Sequence, residues 1–281
     1  MVTPWSGNVR IKSVTVRRIR APRPPRSNIA PVTAPAATPV DVRSVGVSTL
    51  HGFARAPRIN GWIYGKLRAG VRGDVLEIGS GIGNLSRLIL ADLDDPARAV
   101  FTDADPEVLA ILRAELGPAA APALITTWDL QHPPPPTIAA RGFDTIVAAN
   151  VVEHLADDAA AVRQLAALLR PGGALLIYVP AWPFAFGALD EGLGHHRRYT
   201  RASLARLLGG AGLEPSRPQY MNRLGLLGWL WQGRVLKRRA LSPTLIATFE
   251  RIVALARALD RLSAPLPLGL GLVAHARRPG G

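Results

Sequence analysis

The stretch VLEIGSGIGN, residues 75 to 84, constrains the fold more than any other part of the chain. Three β-formers and an acid run into Gly79, Gly81 and Gly83, after which Leu85, Leu88 and Ile89 share one helical face. The segment therefore reads as a buried strand, a glycine turn and a helix start. Glycines at alternate positions let the backbone turn through angles that a Cβ forbids, and they let a ligand lie against the main chain. A dinucleotide fingerprint has glycine at its first, third and sixth positions. Here the sixth position is Asn84, and Glu77 stands two residues before the first glycine, where a carboxylate repels phosphates and favours a cation. The spacing argues against NAD and for a cationic nucleoside.

Strand and helix alternate beyond this point, which implies a parallel sheet with right-handed crossovers. Residues 97–106 read as the second strand, ending at Asp103. An acid at that strand end can accept both ribose hydroxyl hydrogen bonds, whereas Asp105, just before Pro106, reads as a helix cap. Residues 123–131 carry the third strand into a loop, and HPPPPT after it reads as stiff extended chain. The fourth strand and its outgoing loop are FDTIVAANVVEHL, 143–155. Ligands of open α/β sheets lie outside such strand ends, so Asn150, Glu153 and His154 face the site. A helix ending at Arg170, the turn PGG and a fifth strand at 174–180 follow.

Taken together, these four spaced motifs over residues 58–180 resemble the class I S-adenosylmethionine (SAM) dependent methyltransferases of the small-molecule acceptor type. The resemblance implies an α/β, Rossmann-like doubly wound sheet of seven strands, the last antiparallel. It implies SAM as cofactor, held by Glu77, Gly79, Ser80, Gly81, Gly83, Asn84, Asp103, Ala104, Trp128, Asp129, Leu130 and Asn150. Asp129 would take the adenine amino group, with Trp128 or Leu130 covering the ring. Enzymes of the family that methylate amines of bases or glutamine carry two prolines and an aromatic after the Asn or Asp; here Val151 and Val152 follow Asn150, which favours a small-molecule acceptor. Some quinone-type relatives bind a divalent metal near the Glu-His pair; no complete ligand set is visible, and no metal is expected.

Substrate identity should be written in AWPFAFGALDEGLGHHRRYT, residues 181–200, which must pass over the mouth of the site. A sulfonium methyl is already activated, so the protein has only to align the acceptor and, for some acceptors, remove a proton. His154, His195 and His196 are the candidate bases, although adjacent His195 and His196 should not both face the pocket. Arg197 and Arg198 are candidates to clamp an acceptor anion, with a salt bridge to Asp190 or Glu191 as the alternative; Tyr199 anchors the loop or meets the acceptor. The sixth strand is expected at 213–221 and the seventh at 269–277, with a helical insertion or lid at 222–265 between them. Trp229 and Trp231 beside Lys237, Arg238 and Arg239 suit a greasy acceptor pocket or peripheral membrane contact; a buried lid or a homodimer contact is the plainer use.

Charge separates the rest. The 281 residues carry a net charge of +14, and residues 1–72 hold 13 Lys or Arg against the single acid Asp41. Residues 1–45, rich in Pro, Ala and Arg, read as a disordered basic arm, and 46–281 as the methyltransferase domain. The arm leaves an RNA methyltransferase as the rival reading, but Trp5 is its lone aromatic, which argues against nucleic acid. A SAM-binding module without catalysis is a second rival. With no cysteine, no apolar segment near the 20 residues of a membrane span and no secretory signal, a cytoplasmic location is expected.

Overall fold

The computed structural model describes residues 42–262 and 266–280. All but the last four residues of the expected arm lie outside that range. A helix (α1, Val42–Ala54) spans those four residues and runs on into the domain. A second helix (α2, Pro57–Leu67) opens on Pro57, whose missing N–H costs nothing at a first turn.

The sheet is built on β1 (Val75–Ile78), whose four residues are all buried. In chain order there follow α3 (Ser86–Asp92), β2 (Ala99–Asp103), α4 (Pro106–Leu116), β3 (Leu124–Thr127), α5 (Pro136–Ala139), β4 (Phe143–Ala149), α6 (Asp158–Leu168), β5 (Leu169–Pro180), α7 (Ala188–Leu193) and α8 (Arg201–Gly210). Then come β6 (Glu214–Pro215), β7 (Gln219–Met221), α9 (Arg223–Leu230), α10 (Pro243–Leu262) and β8 (Gly271–Arg277). The strand order is β3-β2-β1-β4-β5-β8-β6, with β7 also on β8. Pairing is parallel from β3 to β5, and β8 runs antiparallel to β5. The order reverses between β1 and β4, and that reversal opens the crevice in which α/β sheets bind ligands.

Apolar runs buried on both faces explain the middle of the sheet. One face packs on Val162 and Leu165 of α6 and Leu204 and Leu208 of α8. The other packs on Trp62, Leu67, Ile89, Leu109, Leu112 and Val253. The expected antiparallel last strand is present. The expected single sixth strand is instead two pieces: the Ser216 N–H still donates to the His275 carbonyl at 2.7 Å, but the His275 N–H goes to the Ser216 hydroxyl at 3.2 Å, and Pro218 has no N–H to offer. The proline run 133–136 leads straight into α5, which opens on Pro136, so the expected extended chain gives way to one helical turn. The insertion is a helical hairpin, as expected. α9 continues through a π turn at Trp231–Val235, and Ser242 caps α10 by accepting the Leu245 N–H at 3.3 Å.

Candidate functional site

Backbone geometry makes the cofactor end. Gly79 and Gly81 have φ of +66° and +55°, and a Cβ on Gly79 would meet Val151 Cγ2 at 2.6 Å, so glycine is required there. The Ser80 N–H donates to the Thr102 carbonyl at 2.8 Å, and the Thr102 hydroxyl to the Glu77 carbonyl at 2.9 Å, which locks the turn between β1 and β2. Glu77 is buried, and one of its oxygens accepts the Ser86 hydroxyl. Burial pushes its carboxyl up to about 7. Asp103 Oδ2 accepts the Gly81 N–H at 2.9 Å and Oδ1 the Asp105 N–H at 3.0 Å; burial raises its pKa as well. Asp105 caps α4 through Glu107 N–H, 2.9 Å. Trp128 is buried with Nε1 donating to the His132 carbonyl at 3.1 Å, and Asp129 Oδ1 takes the Gln131 N–H at 2.9 Å. Asn150, at φ +54°, is a non-glycine residue in the left-handed region, held by its N–H to the Tyr178 carbonyl at 2.8 Å.

The other end is organised by Asp190. Its fully buried carboxylate receives His195 Nδ1 at 2.9 Å, Arg198 Nε at 2.7 Å, Trp229 Nε1 at 3.2 Å and the Gly187 N–H at 3.0 Å. Burial opposes its charge, but His195 and Arg198 hold its pKa below the usual carboxylate value. An ionised carboxylate only accepts, so His195 Nδ1 donates the proton in that contact. The Arg198 guanidinium also donates to the Ala181 carbonyl at 2.9 Å and lies 4.6 Å from the Trp229 ring centre. His154 meets the His195 ring edge-on at 4.7 Å. His154 lines the cavity, and desolvation with His195 and His196 nearby draws its pKa down to about 4.

A cavity of about 520 Å³ joins the two ends. Its wall includes Glu77, Gly79, Ser80, Gly81, Asn84, Asp103, Ala104, Trp128, Asp129, Leu130 and Asn150 from the expected cofactor set, and His154, His195, Arg198 and Trp229 from the expected acceptor set. Gly83 is not on the wall. Neither is His196, whose N–H donates to the Glu153 carbonyl at 2.7 Å, so only one of the adjacent histidines faces the cavity. Arg197 turns to Asp158 at 2.8 Å, and the Tyr199 hydroxyl donates to the same carboxylate at 2.7 Å; neither reaches the cavity. Glu153 is wholly buried outside the wall, both oxygens lack a hydrogen-bond partner, and burial pushes its carboxyl up to about 8. Ligand atoms of Glu153, His154 and His195 lie within 4.8 Å of one another, a juxtaposition that the sequence spacing did not show. The charge of Arg198 acts on Glu153 and opposes a cation at that point.

Residues 76–175 match the family model described as a methyltransferase domain. That segment, from β1 into β5, is similar to a methyltransferase domain. Over 136 residues, 45% of this chain, it is 30% identical to the polyketide methyltransferase ustM of Ustilaginoidea virens. The curated relatives it matches are longer, and the match spans at most 31% of their length. An S-adenosylmethionine-dependent methyltransferase from Mesorhizobium loti superposes with a TM-score of 0.53 at 17% identity, covering 78% of this chain and 98% of that one. The [4+2]-cyclase SpnF superposes at 0.51 and 18% identity, covering 80% and 81%, so this fold also serves other chemistry.

The donor chemistry of the methyltransferase domain fits the family's cofactor. Glu77, Asp103 and Asp129 put three acids on the wall, and the one Arg or Lys there, Arg198, is tied to Asp190. That balance suits a sulfonium and ammonium bearing nucleoside and not a pyrophosphate. Sequence reasoning missed the wall supplied by α1, where Thr49, Leu50 and Phe53 stand, although Val47, Leu50 and Phe53 recur every third residue. It also missed Met221, Asn222, Leu241 and Leu270, which reach the cavity from strand ends and the insertion and carry no local signal. Among the described residues no helix is long and apolar enough to cross a membrane.

Proposed function

We propose that the chain moves the SAM methyl group by direct displacement to a small-molecule or lipid-like acceptor and releases S-adenosylhomocysteine. The observation that carries this reading is the single cavity shared by the Gly79–Gly81 turn, Asp103 and Asp129 at one end and His154, His195 and Trp229 at the other. Glu77, Asp103 and Asp129 would hold the amino-acid, ribose and adenine portions, and Trp128 and Leu130 would flank the ring. Bound there, the cofactor supplies an activated sulfonium methyl. The protein's part is to align an acceptor against it and exclude water. The largely apolar lining from Leu193, Met221, Leu241 and Leu270, and the likeness to a polyketide methyltransferase, support an apolar acceptor.

Calorimetric titration tests the cofactor: SAM and S-adenosylhomocysteine are expected to bind and NAD not. Binding of NAD with neither adenosyl ligand would overturn the reading. Labelled methyl then reports transfer to hydroxylated aromatic, polyketide-like and lipid acceptors.

His154 is the base in this proposal, accepting a proton from an acceptor hydroxyl. His154→Ala is expected to lower turnover about a hundredfold while sparing SAM affinity. With its pKa near 4, the imidazole is neutral throughout pH 5 to 8 and becomes protonated only below that range. The rate should therefore be flat from pH 8 to 5 and fall on further acidification; a break near 6.5 that disappears in His154→Ala would contradict the assigned environment.

A further inference from the structure

We propose that the outer face of the α9–α10 hairpin docks on an anionic bilayer surface. Among the described residues, every large apolar side chain that is exposed, apart from Phe184, lies between Leu227 and Leu268. On α10, Ile246, Val253 and Ala256 are buried on the domain, whereas Ile252, Leu255 and Leu262 are 38, 64 and 86% exposed. Spacings of three and seven residues set the exposed three in one stripe away from the buried ones. The preceding arm adds Leu227, Trp231 and Val235, exposed at 64, 56 and 59%.

Charge selects the occupant. Residues 222–268 contain eight Lys or Arg and two acids, and both acids are spent within the domain. Glu250 accepts the Arg58 and Ile59 N–H groups at 2.7 and 3.0 Å, and Asp260 accepts the Asn222 N–H at 2.6 Å and pairs with Arg223. Lys237, Arg238 and Arg251 form no ion pair among the described residues. A protein partner covering the stripe would have to desolvate these cations or match them. A bilayer takes apolar side chains below the headgroups while anionic headgroups meet the cations.

The position of the face also has a use. Trp229, on the same helix as Leu227, lines the cavity, so one face of α9 bounds the acceptor end while its neighbours point outward. A lipid-like acceptor would pass from the bilayer to the cavity along this hairpin; that use rests on the methyl-transfer reading, whereas the docking itself does not.

Flotation of the full chain with vesicles, read separately from any activity, tests the docking. Phosphatidylcholine vesicles containing phosphatidylglycerol are expected to carry the protein, pure phosphatidylcholine vesicles much less, and added salt should weaken the binding. Leu255→Glu with Leu262→Glu should lower partitioning about tenfold, and Lys237→Glu with Arg238→Glu should remove the preference for anionic lipid. Unchanged SAM titrations report intact folding of these variants. Absence of vesicle binding overturns the proposal, and so does binding that survives the Leu255/Leu262 change, which would trace it to another basic segment. A dimer by light scattering that Leu255→Glu dissociates would make the stripe a contact between copies instead.

Discussion

Asp103→Ala is expected to raise the Kd for SAM by about two to three orders of magnitude. Each oxygen of the carboxylate already accepts one backbone N–H, from Gly81 or from Asp105, and keeps further acceptor capacity toward the cavity. Hydrogen bonds to a charged acceptor contribute about 1.5–3 kcal/mol each, so losing a pair to the ribose hydroxyls costs at least about 3 kcal/mol. The Gly81 N–H also loses its partner, which loosens the glycine turn and adds to the effect. Asp103→Asn separates the two contributions, because the amide oxygen can still accept from the turn; it should lose about tenfold. Calorimetry on both variants, with thermal unfolding as a check on folding, measures this. Wild-type affinity in a folded Asp103→Ala protein would remove Asp103 from the cofactor site.

The reading of Asp103 came from the sequence alone, and the reason is physical. Strand β1, the glycine turn and the end of β2 are tied together by local backbone requirements: a positive φ at Gly79, a close approach to Val151, a carboxylate at a strand end. Requirements of that kind leave their mark on residue type and spacing. The succession of parallel strands along the chain was legible too, since apolar runs of strand length alternated with amphipathic ones. The acceptor end was legible only as a segment. His195, Arg198 and Trp229 were each identified as candidates, but nothing in their spacing showed that one carboxylate, Asp190, collects all three across 39 residues of chain. Their partner is chosen by tertiary packing. The same holds for α1: its first residues follow a proline-rich stretch whose composition masks the helix, yet Thr49, Leu50 and Phe53 form part of the cavity wall.

Arg198→Met is expected to destabilise the protein by about 3–5 kcal/mol, the usual cost of leaving one member of a buried ion pair alone. The side chains of Arg198 and Asp190 are both fully excluded from solvent, and their Nε to Oδ1 distance is 2.7 Å. With the guanidinium gone, Asp190 keeps His195, Trp229 and the Gly187 N–H but has no permanent positive charge beside it. For a domain of this size such a loss lowers Tm by roughly 10 °C. Pairing the change with Asp190→Leu should return much of the stability, because no orphaned charge is then buried, and a double-mutant cycle measures the coupling. Activity should not return with it: the double variant no longer holds the His195 ring on Asp190, and His154, which packs edge-on against that ring at 4.7 Å, loses the support that places it as the base. Arg198→Lys cannot reproduce contacts with both Asp190 and the Ala181 carbonyl from one compact ammonium, and it should fall between wild type and Arg198→Met in stability. The opposite result carries its own meaning. If Arg198→Met unfolds at the wild-type temperature and raises only the KM of the acceptor, the guanidinium is free to bind an acceptor anion, and Asp190 is stabilised by its neutral donors alone.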